Sequence, residues 1–267
     1  MVKKAFLVTV LATWAMTGAA LAADRFITLA STTSTQNSGL FDHILPLFTR
    51  QTGITVRVIA VGTGQALRLG QRGDADVLLV HDTPSEEAFV TAGYGVFRRP
   101  VMYNDFVLIG PRGDPAGVRG MSDIITALRA IAARQAVFVS RGDDSGTHKR
   151  ERRLWRAAGI DAAAHSGSWY REAGAGMGQC LAIATGMKAY VLSDRATWLA
   201  FRRKTDLGIV VEGDPRLYNQ YGVILVKGTP KPADSKAFIA WLTSPPGQSA
   251  IGAVTINGQR LFTPNAP

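Results

Sequence analysis

Short runs of β-branched residues and leucine recur along this chain, and several lead into hydroxyl residues or glycine before a helical period. Phe26-Ile27-Thr28-Leu29-Ala30 reads as a strand and runs straight into Ser31-Thr32-Thr33-Ser34-Thr35. Residues 55–60 read as a second strand, followed by Val61-Gly62-Thr63-Gly64, and residues 75–80 as a third. Between them, Leu40, Ile44, Leu47 and Phe48 recur at helical spacing over residues 39–51, and a short helix is expected over 65–71. This alternation predicts an α/β fold with largely parallel sheets. The apolar run Phe106-Val107-Leu108-Ile109 is stopped by Gly110-Pro111, and a second series then begins. It comprises a helix over 123–134, a strand over 136–140, helices over 149–158 and 177–187, and a strand over 189–192. A late strand over 221–226 and helices over 236–243 and 248–253 close the chain. Two α/β units with a late return predict two lobes joined by crossover strands.

The first residues read as an export signal. Lys3 and Lys4 precede a charge-free run over 5–23 containing Phe6, Leu7, Val8, Val10, Leu11 and Trp14. The run closes on Ala20-Leu21-Ala22, a small-residue cleavage pattern. A signal peptide over 1–23 is therefore expected, with a soluble periplasmic product beginning at Ala23 or Asp24. The competing reading is an uncleaved anchor, which Thr9, Thr13, Thr17 and Gly18 make less apolar than a bilayer span requires. Cys180 is the single cysteine and cannot pair within the chain, so stability must come from packed cores. Lys and Arg number 30 against 20 Asp and Glu, a net charge of +10. Such a balance attracts anions. The basic residues are scattered and lack interleaved aromatics, which argues against nucleic acid and suits a small anionic ligand, or simply a solvated basic surface.

Four segments carry candidate chemistry. The hydroxyl run 31–35 lies between a strand and a helix, where hydroxyl donors and free backbone amides meet. N-capping accounts for one of its five hydroxyl residues. Gly62-Thr63-Gly64 repeats the arrangement after the second strand, as an anion contact or as a tight turn. Ser140-Arg141-Gly142-Asp143-Asp144-Ser145-Gly146-Thr147-His148 is the richest segment. Arg141 can place two parallel N–H bonds on an oxyanion, with Ser145 and Thr147 supplying hydroxyls. Alternatively, Arg141 pairs with Asp143 or Asp144 and stiffens a turn. Gly174-Ala175-Gly176-Met177-Gly178-Gln179 then offers bare amides, as an anion cradle or as a flexible linker.

An enzymatic alternative is a secreted serine hydrolase using Ser145, with His148 and two aspartates nearby. No G-x-S-x-G elbow surrounds Ser145. A bound metal is not expected, because His43, His81, His148 and His165 are widely spaced and Cys180 stands alone.

With these loops placed, the chain resembles the tungstate-binding proteins of ABC-type tungstate importers over its whole mature length. The resemblance rests on Thr32-Thr33-Ser34, Tyr103-Asn104-Asp105-Phe106, the segment 140–148, Gly176-Met177-Gly178 and Tyr190-Val191-Leu192-Ser193-Asp194-Arg195. It implies a two-lobed periplasmic binding protein fold, type II-like, with two crossover strands. One lobe would comprise residues 24–104 and 220–267, the other 105–219. Thr32, Thr33, Ser34 and Thr63 would form one wall of the cleft, and Arg141, Ser145, Thr147 and the amides near Gly178 the other. Gln179 and Cys180 depart from the small hydroxyl residue expected after that glycine. The implied ligand is tungstate, or molybdate, held without a cofactor by a monomer that serves an ABC permease at the inner membrane. Phosphate and sulfate are the alternatives. Phosphate keeps a proton near pH 7 and gains from a carboxylate in the site, whereas the fully deprotonated anions need donors only. The orientation of Asp143 and Asp144 therefore discriminates between them.

Overall fold

A computed structural model describes residues 25–267; the expected signal segment lies outside the described residues. The first unit runs β1 (Phe26–Thr32), α1 (Thr33–Asn37), α2 (Leu40–Thr52), β2 (Thr55–Val61), α3 (Thr63–Arg72), β3 (Val77–Val80) and α4 (Thr83–Thr91). A 16-residue strand, β4 (Gly95–Gly110), leads out of it. The second unit contains α5 (Ile124–Ala133), β5 (Phe138–Ser140), α6 (Gly146–Ala157), β6 (Tyr170–Glu172), α7 (Met177–Met187), β7 (Tyr190–Asp194), α8 (Arg195–Phe201) and β8 (Gly208–Val211). The chain returns through β9 (Tyr218–Val226), continues in α9 (Pro232–Leu242) and α10 (Pro245–Gly252), and ends with short strands, the last of which (Thr263–Pro264) pairs with β4.

Strand order is β2-β1-β3-β9-β4-β7-β5-β6. β1 is parallel to both β2 and β3, and β5 is parallel to both β6 and β7. Two parallel blocks are thus joined through the antiparallel strands β9 and β4. β4 bonds β9 over Gly95–Asp105 and then changes partners, bonding β7 over Phe106–Ile109 and β8 to its end. The chain crosses between the blocks twice, in β4 and on entering β9. Pro100, which has no amide to give a ladder, sits at one of the two register shifts of β4 against β9.

Most expected elements are present with ends moved by a few residues, and the differences have local causes. β1 extends into the hydroxyl run because Thr32 still pairs with Val61 of β2. The expected turn over 141–147 is shorter than anticipated. Ser145 caps α6, so Gly146 and Thr147 already belong to its first turn. α4, α8 and most of β4 had no expectation attached to them. In β4, Arg98, Arg99 and Asp105 interrupt the apolar run; the strand persists because β9 pairs it on one side.

Core packing does not follow the division into two units throughout, because the cluster containing Ile27 also takes in Val139, Leu181 and Val191 of the second unit. Ile27, Leu29, Ile44, Phe48, Val223 and Phe238 lie in one buried cluster; Phe138, Trp155, Tyr170 and Tyr190 lie in another. Phe138 stands edge-on to Trp155 at 5.1 Å. Removing such an aromatic side chain costs roughly 3–5 kcal/mol. Cys180 is fully buried on α7, with its thiol directed to the Ala175 carbonyl at 3.3 Å. Burial pushes that thiol up to about 11.

The second core also encloses a carboxyl group. Glu151 on α6 accepts the Tyr170 hydroxyl at 2.6 Å, and burial pushes its pKa from 4.5 up to about 8. The folded protein therefore holds a proton that the unfolded chain releases. Stability from this group is full below about 4.5, falls as pH rises, and levels off above about 8. Glu151→Gln copies the protonated acid without that linkage. Thermal denaturation should show the variant little changed at pH 5 and stabilised at pH 8 by up to about 3 kcal/mol. An equal shift at both values would contradict the assignment.

Candidate functional site

Parallel strands deliver their loops at their carboxyl ends, and in this chain those loops converge. β1 ends at Thr32, whose Oγ1 caps α1 by accepting the Thr35 amide at 3.3 Å. The same oxygen lies 3.1 Å from Ser34 Oγ and 2.7 Å from Thr35 Oγ1, so three buried hydroxyls form one cluster. Ser31 is turned away and donates to the Leu79 carbonyl at 2.6 Å. Thr33 is half-buried beside the cluster. β2 leads to Gly62, which caps α3 without a side-chain bond, and to the fully buried Thr63.

The opposing wall begins after β5. Arg141 is 3% exposed and donates from Nη2 to Asp143 Oδ2 at 2.5 Å. Asp143 Oδ1 accepts the Ser145 amide at 3.2 Å. Ser145 Oγ in turn accepts the His148 amide at 3.2 Å, capping α6. A capping hydroxyl uses a lone pair and keeps its own proton to donate. Asp144 adopts a positive φ of 57° and faces Arg68 at 3.5 Å and Lys149 at 3.7 Å. The glycine loop before α7 docks on this wall, its Ala175 amide donating to the Arg141 carbonyl at 3.2 Å. Gly178 lies half-buried in the first turn of α7, with open space where a side chain would project.

The two walls touch. A methyl group on Gly64 would collide with the Asp144 carboxylate. One on Gly146 would lie 2.9 Å from Thr63 Oγ1 and 3.1 Å from the His81 ring. Glycine at both positions is what lets the backbones approach this closely.

Several buried donors here have no acceptor. Thr63 Oγ1, Thr147 Oγ1, Arg141 Nε and His148 Nε2 are all buried without a protein partner. His148 Nδ1 accepts the Asp144 amide at 3.1 Å, which leaves Nε2 as the N–H nitrogen. Both nearby carboxylates are already engaged, Asp143 by Arg141 and Asp144 by Arg68 and Lys149. The site therefore offers donors, and among the described residues neither of these two carboxylates is left unpaired to accept from a ligand. Such an arrangement suits an anion with no proton of its own. The hydrolase geometry does not form, because Ser145 Oγ bonds the His148 backbone and the imidazole bonds the Asp144 backbone.

Sequence reasoning passed over His81, Asn219 and Tyr221. His81 follows β3, and its ring stacks on Tyr221 at 4.8 Å. Nδ1 lies 3.1 Å from Asn219 Oδ1 and Nε2 lies 3.4 Å from Ser34 Oγ. Burial holds the imidazole below its ordinary pKa, against the opposing pull of Asp194 and Asn219. The signal was available: the strand-end rule that selected Thr32 and Thr63 selects His81 after the third parallel strand. Asn219 carries no comparable signal, since it enters from an antiparallel strand.

A family model for a PBP superfamily domain matches residues 17–246. The tungstate-binding protein TupA of Peptoclostridium acidaminophilum is 49% identical over 248 residues, covering 90% of this chain and 86% of that protein. The tungstate-binding protein TupA structure from Desulfovibrio alaskensis G20 superimposes with a TM-score of 0.77 at 45% identity, covering 91% of this chain and 100% of the other. The structure described as the tungstate ABC transporter from Geobacter sulfurreducens gives 0.75 at 45% identity, covering 85% and 97%.

Thr63→Val and Thr147→Val remove unpaired hydroxyls while keeping side-chain shape. In the empty protein, melting temperatures should stay level or rise, because a buried polar group without a partner is lost. Oxyanion affinity should fall by about 1.5–3 kcal/mol for each, the worth of a hydrogen bond to a charged group. Calorimetric titration beside melting curves checks both. Lower stability with unchanged affinity would make these hydroxyls structural.

Proposed function

The chain belongs to the PBP superfamily and, within it, to the tungstate-binding proteins, and on that premise we propose that it captures one tetrahedral oxyanion, tungstate, between two lobes. The observation that carries this reading is the set of buried donors without acceptors, Thr63 Oγ1, Thr147 Oγ1 and Arg141 Nε, beside carboxylates that are already paired. Tungstate, molybdate and sulfate only accept hydrogen bonds near neutral pH and match that polarity. Phosphate would bring a proton to a site with no free carboxylate to receive it. Thr32, Thr33, Ser34 and Thr63 act from one lobe; Arg141, Ser145, Thr147 and the amide of Gly178 act from the other.

The lobes are residues 24–104 with 220–267, and 105–219. The exchange of β4 partners between Asp105 and Phe106 supports the first crossover. We place the protein in the periplasm as a monomer that delivers its anion to an ABC permease at the inner membrane. The charge-free segment after Lys3 and Lys4 supports export. Among the described residues, no helix is long and apolar enough to cross a membrane.

Titration with tungstate, molybdate, sulfate and phosphate tests the ligand. One tungstate should bind per chain, with phosphate much weaker. Arg141→Ala leaves the dianion underneutralised and should cost about 2–5 kcal/mol, by analogy with breaking a buried charge pair. Arg141→Lys should recover part of that loss, because an ammonium cannot reproduce the guanidinium fork. Small-angle scattering should show compaction with tungstate in the wild type and less in Arg141→Ala. Unchanged affinity and compaction in that variant would reduce Arg141 to a brace for Asp143.

A further inference from the structure

His81 sits in a chain of hydrogen bonds whose proton positions can be assigned in turn. Asn219 Nδ2 donates to Asn104 Oδ1 at 2.7 Å, which directs Asn219 Oδ1 toward His81. That oxygen is an acceptor, so His81 Nδ1 carries a proton. In a neutral imidazole, Nε2 is then an acceptor, and the hydroxyl beside it is Ser34. A hydrogen bond between them then needs Ser34 as donor to His81, with Thr32 Oγ1 at 3.1 Å as the other neighbour of the Ser34 hydroxyl. Its oxygen is left facing the cluster with lone pairs only, the wrong polarity for an oxyanion. Protonated His81 reverses the bond: Nε2–H donates to Ser34 Oγ, and the Ser34 proton is freed.

We propose that His81 is a proton-coupled positioning residue, taking a proton from solvent onto Nε2 when the oxyanion binds and thereby turning the Ser34 hydroxyl into a donor to the anion. The bookkeeping is one proton taken up on Nε2 and one hydroxyl rotated, with no covalent bond broken. This rests on the oxyanion reading of the site.

The surroundings fit such a change. The ring is 4% exposed and stacked on Tyr221 of β9, with Phe106 of β4 at 6.2 Å. Asp194, at the end of β7, and Asp82, next along the chain, favour the imidazolium; Arg141 from the opposing wall disfavours it. In the empty site burial prevails, and the ring is neutral at pH 7. A dianion beside Arg141 offsets that one opposing charge and adds its own attraction for a proton. Affinity should therefore be greatest at low pH and fall as pH rises through the bound-state pKa. A fully coupled proton gives a change of up to about tenfold per pH unit.

The test is calorimetric titration of the full chain with sodium tungstate between pH 6.5 and 8.5, in paired buffers of different ionisation enthalpy. The wild type should take up close to one proton per anion where the coupling is strongest, with affinity declining toward pH 8.5. His81→Gln should bind without proton uptake, and its affinity should be independent of pH. Nitrogen-15 imidazole NMR of the wild type gives a check that needs no variant, since the His81 Nε2 signal should move to its protonated position on tungstate addition. Binding without proton exchange, uptake persisting in His81→Gln, or an unmoved Nε2 signal would each overturn the proposal. Absence of any tungstate binding by the wild type would instead overturn the oxyanion reading, and the coupling with it.

Discussion

Thr63 Oγ1, Thr147 Oγ1 and Arg141 Nε are donors withdrawn from water and given no acceptor by the protein. A buried polar group in that state costs about 1–3 kcal/mol, more when charged. The rest of the fold holds them there. β1, β2 and β5 aim their carboxyl ends at a common point, and bare glycine caps on α3 and α7 leave further amides free. Glycines 64 and 146 let the backbones close to contact distance. An anion in this place satisfies several of these groups at once and so stabilises the arrangement in which both walls are present.

Closure has its own contacts outside the anion site. Arg153 on α6 reaches Asp82 beyond β3 at 2.5 Å, and Lys149 reaches Ser85 on α4 at 3.1 Å. Arg150, by contrast, donates to the Tyr218 carbonyl at 3.0 Å within its own lobe. Arg153 and Lys149 thus form a seam between the two walls. The exposed pair of Lys149 with Asp144 on the same wall contributes little. The Arg153 pair is different, because Asp82 is almost fully buried and would be left as an uncompensated charge on opening. The seam therefore favours the geometry in which the two walls meet.

Asp143 and Asp144 decide the chemical character of the site by where they point. Each could have supplied an acceptor for a protonated ligand. Asp143 is turned back onto Arg141 and the Ser145 amide, which fixes the guanidinium and leaves Nε unpaired. Asp144, in a left-handed conformation, is directed toward Arg68 and Lys149. The Arg141–Asp143 pair thus braces the turn and fixes the guanidinium at the same time.

The alternation of apolar strands and amphipathic helices determined the α/β class, because periodicity is a local property of the chain. It also marked the loops that matter, since a hydroxyl or glycine cluster after a parallel strand can only lie at a strand's carboxyl end. That Thr32, Thr63, Arg141, Ser145 and Thr147 lie at or beyond strand ends was legible on those grounds. The sequence could not say which hydroxyls would be used locally, and Ser31, the next-to-last residue of β1, bonds Leu79 instead. It could not orient Asp143 and Asp144, whose directions depend on Arg68, Lys149 and Arg141 arriving from separate elements. It gave no sign of Asn219, which enters from an antiparallel strand 138 residues after His81. Those features are products of packing: proximity between residues far apart in the chain is set by which strands pair, and only the tertiary structure makes that choice.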